Sequence, residues 1–229
     1  MKNFKFLSVA FVAMAMFVCN TAYAQYYSRP AGSTTSSKSY SYSYDEARDR
    51  NIVELEFALG HFGNKVQSCG LQSLTYSFIH AFGLSSSKPW FAELGAGMEY
   101  SWTDGKLGCL HNLAFVVPIR ISYEIETAGS LRIVPFGGFY LRMNQTGDLD
   151  DEERGSDGYN INGSIYKDSE ITDQYGKFNR FQVGFQLGGR VRFTKNFHTS
   201  LAFKHDLSKW CGRIDGKTWN IGLSLGLDF

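Results

Sequence analysis

Residues i and i+2 of an extended chain project to the same side, so His198-Thr199-Ser200 sets an imidazole and a hydroxyl on one face. A base beside a nucleophile is the start of acyl hydrolysis. No carboxylate stands close by in the sequence to orient the histidine, and a triad needs that third group; the pair reads better as polar lining. His61, His80, His111 and His205 show no metal-ligand spacing, so neither a metal nor a cofactor is expected. A larger set of titratable residues alternates with apolar ones: Glu54, Glu56, Glu93, Glu99, Arg120, Arg132, Arg142, Arg180, Arg190, Arg192, Lys204 and Asp206. Charges withdrawn from water must be paired, because an uncompensated one costs several kcal/mol. They predict a structural ion-pair network inside the fold, with a narrow gated channel or proton path as the alternative.

The elements that position these charges repeat every two residues. In Thr218 to Phe229 the odd positions Trp219, Ile221, Leu223, Leu225, Leu227 and Phe229 are apolar, and the residues between them are small or polar. About ten such residues ending on an aromatic predict the closing strand of a transmembrane barrel. From Ile52 onward eight segments of this kind follow one another, divided by turn residues. The first points Val53, Leu55, Phe57 and Leu59 one way and Glu54 and Glu56 the other. Leu74 to Gly83, Trp90 to Trp102, the segment ending at Tyr123 and Leu131 to Met143 continue the pattern. The sixth sets Phe181, Val183, Phe185 and Leu187 against Arg180, Gln182, Gln186, Arg190 and Arg192; the seventh sets Leu201, Phe203 and Leu207 against Ser200, Lys204 and Asp206. Slipping the sixth by one residue would turn its arginines to lipid, at about 2 to 4 kcal/mol each at mid-membrane. The fold expected is all-β, an eight-stranded antiparallel up-and-down transmembrane β-barrel over 52–229. A soluble barrel with the faces exchanged is the alternative. Pro118 and Pro135 each lack a ladder donor and predict a bulge or strand end nearby.

Connections near 85–89, 126–130 and 194–196 are short; those at 61–73, 103–110, 144–179 and 208–217 are longer. Short turns facing the periplasm and long loops facing outward is the arrangement this predicts. Residues 1–24 read as a signal peptide, with Lys2 and Lys5 before an apolar run and Ala22-Tyr23-Ala24 as the cleavage site. Residues 25–51 read as a flexible Tyr/Ser-rich periplasmic tail. The chain has 229 residues and a formal charge of +1, so nothing points to nucleic acid. Cys69, Cys109 and Cys211 fall in outer loops, where an oxidising compartment permits a bridge from Cys69 to either of the others. Asp148, Asp150, Asp151, Glu152, Glu153 and Asp157 crowd the longest loop without the spacing of a calcium loop, and read as a solvated acidic segment beside Tyr159, Tyr166 and Tyr175.

Leu113 to Tyr123, LAFVVPIRISY, and Val134 to Tyr140, VPFGGFY, resemble paired signatures of the PorT-like outer-membrane β-barrel family; Gly184 to Arg190, GFQLGGR, and the last strand are similar to its closing portion. The resemblance covers residues 52–229. It implies an eight-stranded barrel in the outer membrane of a Gram-negative bacterium, a secretion role in some members, and no catalytic set. His198-Thr199-Ser200 also resembles the His-x-Ser pair of outer-membrane lipid A deacylases. The expected function is a non-enzymatic barrel with a structural or surface-interaction role through its outer loops. Its expected partners are outer-membrane lipid and lipopolysaccharide, the barrel-assembly machinery during insertion, and an extracellular or periplasmic protein.

Overall fold

The computed structural model describes residues 49–63, 68–84, 89–104, 109–127, 131–151, 161–194, 196–211 and 217–229. The signal peptide, all but the last three residues of the expected tail, and Glu152, Glu153, Asp157 and Tyr159 lie outside them. The elements are β1 (Arg50–Gly63), β2 (Ser68–Gly83), β3 (Trp90–Asp104), β4 (Cys109–Tyr123), β5 (Ile125–Glu126), β6 (Arg132–Asp151), β7 (Ile161–Ser164), α1 (Ser169–Tyr175), β8 (Phe181–Arg192), β9 (Phe197–Asp206) and β10 (Lys217–Asp228). Strand order runs β4-β3-β2-β1-β10-β9-β8-β6, and β6 pairs back onto β4. The result is a closed eight-stranded antiparallel β-barrel. Short β5 prolongs the β4–β6 hairpin at one end, and β7 adds to β6 at the other.

Period two is realised as two faces of opposite character. Along β10 every odd residue is exposed and every even one buried. Outside stand large apolar side chains such as Leu55, Ile121, Phe139, Leu187, Leu201 and Leu223, each about half exposed. Inside, Glu54, Glu93, Arg120, Arg142, Arg190 and Asp206 are all buried. A soluble barrel needs the reverse, so the exchanged-face alternative is not the one adopted. Trp90 and Trp102 mark both ends of the outer face of β3. Their separation is roughly 41 Å along the strand and about 30 Å along an axis tilted near 40°, close to an apolar band with aromatic girdles.

Strands run further than the sequence expected. β1 continues to Gly63 and β2 begins at Ser68, so most of the first expected loop is ladder. β6 extends to Asp151, which turns the near half of the acidic segment into strand; Asp148 pairs in register with His111 on one side and Ser164 on the other. The register shift of β4 against β6 falls at Leu113/Ala114, skipping Gln145 on β6, not at a proline. Pro118 lies mid-strand opposite Tyr140 with its register intact, and the β3–β4 pairing is interrupted beside it at Gly95 and Ala96. A missing N–H removes bonds there without moving the strands. Pro135 pairs with Gly189 inside an unbroken ladder on its β8 side, whereas on the other side the β4–β6 ladder stops beside it, at Ser122 opposite Phe136.

The end carrying Arg50 and Asp228 is called here the terminal end, the other the loop end. At the loop end α1 closes on Gly176, whose φ of 82° is the left-handed conformation that favours glycine after a helix.

Candidate functional site: the closed lumen

Three layers fill the barrel. Near the terminal end a small apolar group, Ile52, Ile79, Ala81 and Phe91, packs together. Above it lies the charged layer. Arg190 of β8 spans the lumen to Glu54 of β1 at 3.0 Å and Glu93 of β3 at 3.1 Å. Arg120 of β4 reaches the same two carboxylates at 3.1 and 3.8 Å, while Ser122 donates to Glu93 at 2.6 Å. Both guanidiniums stand over the Phe136 ring. Lys204 of β9 pairs with Glu56 at 2.5 Å. Nearer the loop end, Arg142 of β6 binds Glu99 at 2.9 Å and Asp206 at 3.0 Å. Asp206 accepts further bonds from Tyr140, Gln182 and Thr218. The Tyr140 ring occupies the space that a Cβ on Gly184, its register partner, would need.

Of the titratable residues singled out in the sequence, the structure brings Glu54, Glu56, Glu93, Glu99, Arg120, Arg142, Arg190, Lys204 and Asp206 into this layer. Arg192 and Arg132 sit at the terminal mouth around Glu124, at 3.0 and 2.6 Å, with Arg50 at 2.6 Å. Burial pushes the Glu124 carboxyl up; Arg50, Arg192 and Arg132 outweigh it and hold it below the ordinary value. Arg180 is a correction: it is exposed and outside the lumen. β8 pairs with β6 only from Phe181 opposite Met143, so Arg180 precedes the strand. Its guanidinium donates to the carbonyl of Gln145 at 3.2 Å and stands over the Tyr166 ring.

His198 is fully buried with its two ring nitrogens 3.2 Å from Asp228 and 3.4 Å from Glu54. The sequence left it without a carboxylate; closure of the barrel supplies two. Ser200 bonds Ser224 at 2.5 Å, so its hydroxyl is engaged away from the imidazole. With both nitrogens facing carboxylates and both residues buried, the pair is lumen structure.

The third layer, unforeseen in the sequence, caps the loop end. Phe62, Leu71, Leu110, Leu149, Ile165, Ile171, Phe178 and Trp210 form a buried apolar cluster with Cys69 and Cys211. Cys69 and Cys211 are buried, and Cys109 is exposed on the outer wall. Trp210 donates to Tyr166 at 3.2 Å, Tyr166 to Asn112 at 2.9 Å and Asn112 to Asn144 at 2.8 Å, tying cap to charged layer. Burial, the dominant influence, keeps the Tyr166 phenol above its usual range and so protonated as that donor. Between the layers Glu99, Ser101, Asn112, Arg142, Gln182, Thr218, Leu71 and Trp210 line a cavity of about 10 Å³, the room one water needs. Among the described residues no cluster of metal-ligating side chains occurs.

The sequence matches no family model and no curated protein. Solved structures similar to it include Neisserial surface protein A, with a TM-score of 0.46 and 10% identity over 78% of this chain and 97% of that one. Another is the outer membrane enzyme PagL, with a TM-score of 0.44 and 15% identity over 76% and 97%. A third is Ail, the attachment invasion locus protein of Yersinia pestis, with a TM-score of 0.42 and 12% identity over 80% and 99%.

Proposed function

We propose that the chain is an integral outer-membrane barrel whose lumen is a structural plug, and that it acts as a non-enzymatic protein through the surface of its loop end. The observation that carries the membrane reading is the pair of faces: half-exposed Leu, Ile and Phe around the outer wall against buried ion pairs inside. Only a lipid solvent makes that arrangement favourable. The plug reading is supported by the charged layer, paired across the lumen, and by the apolar cap above it. A chain exported by its first 24 residues would start at Gln25 and place the loop end outside the cell. Membership of the PorT-like family rests on residues 113–123 and 134–140, and a secretion defect on deletion would give it a secretion role.

Three measurements test the reading on the chain refolded in detergent and in intact cells. Heat-modifiable gel mobility, no conductance in planar bilayers, and protease cleavage near residues 152–160 from outside are expected. Solubility without detergent would overturn the membrane reading, and steady conductance would overturn the plug.

A further inference from the structure

Of the five histidines in the chain, three have polar partners inside the fold. His80 lies 2.9 Å from Asn51, His111 2.8 Å from the Tyr100 hydroxyl, and His198 between two carboxylates. Among the described residues His61 and His205 make ring contacts alone, and they share one row. Register sets His61 of β1 opposite Trp219 of β10, and Trp219 opposite His205 of β9. The His61 and Trp219 rings stack at 6.2 Å, and His205 stacks on Phe203 at 6.5 Å. Lys217 stands two residues beyond Trp219 on the same outward face, exposed to solvent. Among the described residues none of these four side chains has a hydrogen-bond or ion-pair partner.

Depth and chemistry select the occupant. The row lies where the outer face changes from Ile221, Leu223, Leu225 and Leu227 to polar rim, the level of a lipid headgroup. Indole and ammonium groups donate and never accept, and each imidazole carries at least one donor, so the face offers donors and a positive charge. Beside His61 its register partner Gly70 leaves open space, with nothing within 4 Å of where a Cβ would stand. Asp104 pairs with Gly70 in register on β3. The acidic Asp148 sits on the far arc, on β6 beside His111. We infer that His61, Trp219, His205 and Lys217 form a binding face for the phosphate of a phosphorylated lipid headgroup in the leaflet at the loop end. The inference rests on the membrane reading above.

The test uses the full chain refolded in zwitterionic detergent, with bis-phosphorylated lipid A, its dephosphorylated form and inorganic phosphate as probes, followed by native mass spectrometry. His61→Phe, His205→Phe and Lys217→Met together keep the ring contacts and remove three donors. Lys167→Met, on the connection after β7, which pairs with β6, serves as a control away from the row. Saturable binding of lipid A is expected, weakened on the order of tenfold to a hundredfold in the triple variant, as loss of charge-assisted bonds implies, and unchanged in the control. Equal binding of the dephosphorylated form, or unaltered affinity in a triple variant that still migrates heat-modifiably, would overturn it. Inorganic phosphate binding as tightly as lipid A would overturn the lipid as ligand. Absence of heat-modifiable migration in the wild type would instead remove the membrane reading beneath it.

Discussion

Two layers of one lumen solve burial in opposite ways. The charged layer is made of residues far apart in sequence: Glu54 and Arg190 are 136 positions apart, Glu99 and Arg142 are 43. Its cations come from β4, β6, β8 and β9, and its glutamates from β1 and β3, so Arg142 and Arg190 bridge walls that meet only once the sheet closes. The cap joins strand ends to the β6–β8 and β9–β10 connections by apolar contact. The first layer therefore reports on the whole barrel, while the second can open locally.

The largest effect expected follows from breaking the charged layer. Arg190→Ala leaves Glu54 and Glu93 with Arg120 as their remaining guanidinium in a dry interior. A loss of about 3 to 5 kcal/mol is expected, read as a fall in the urea midpoint of reversible unfolding in lipid bilayers. A loss under about 1 kcal/mol would mean that the ion pairs do not clamp the walls. Placing an arginine on the other face sharpens the same contrast. Leu223 is more than half exposed at the middle of the outer face of β10, and Leu223→Arg should cost about 2 to 4 kcal/mol by the same measurement. A neutral result would mean that this wall meets water.

How much of this was legible in the sequence differs between the layers for the same reason. Period two over β1, β8, β9 and β10 reveals which side chain points in, so Glu54, Arg190, Lys204 and Asp206 could be read residue by residue. Where ladders end it reveals nothing. Arg180 keeps the parity of β8, yet it stands just before that strand beside the register shift that skips Gln145 of β6, and its guanidinium goes to the Gln145 carbonyl and the Tyr166 ring instead of the lumen. Glu124 is the converse: it continues the inward parity of Ser122 one step past Tyr123, where the alternating segment ends in the sequence. The carboxylates flanking His198 come from β1 and the penultimate residue of the chain, contacts that only closure creates. The cap, with Ile165, Ile171, Phe178 and Trp210 scattered through irregular segments, has no period to read.

A smaller effect should separate the cap from the barrel. Tyr166→Phe keeps the ring against Phe178 but leaves the Trp210 indole and the Asn112 oxygen without their shared hydroxyl. A loss of about 1 kcal/mol or somewhat more is expected. It should appear as faster hydrogen exchange at Ile165 and Trp210 with the urea midpoint of the barrel nearly unmoved. A midpoint shift as large as that of Arg190→Ala would mean that cap and charged layer unfold as one unit.

The smallest effect lies at the terminal mouth, where three arginines converge on Glu124. Its carboxyl is held below the ordinary value, so the folded state binds its proton less readily than the unfolded chain does. The corresponding stability is therefore fully present above the ordinary carboxylate value of 4.5, and is lost as pH falls through the lowered folded value. Glu124→Gln removes that dependence while lowering stability near neutrality, because Arg50, Arg132 and Arg192 then face one another without their shared anion. Midpoints followed from about pH 7 to about pH 3 should converge for wild type and variant at the acid end. Parallel curves would assign the acid sensitivity of the barrel to the carboxylates of the charged layer, deeper in the lumen.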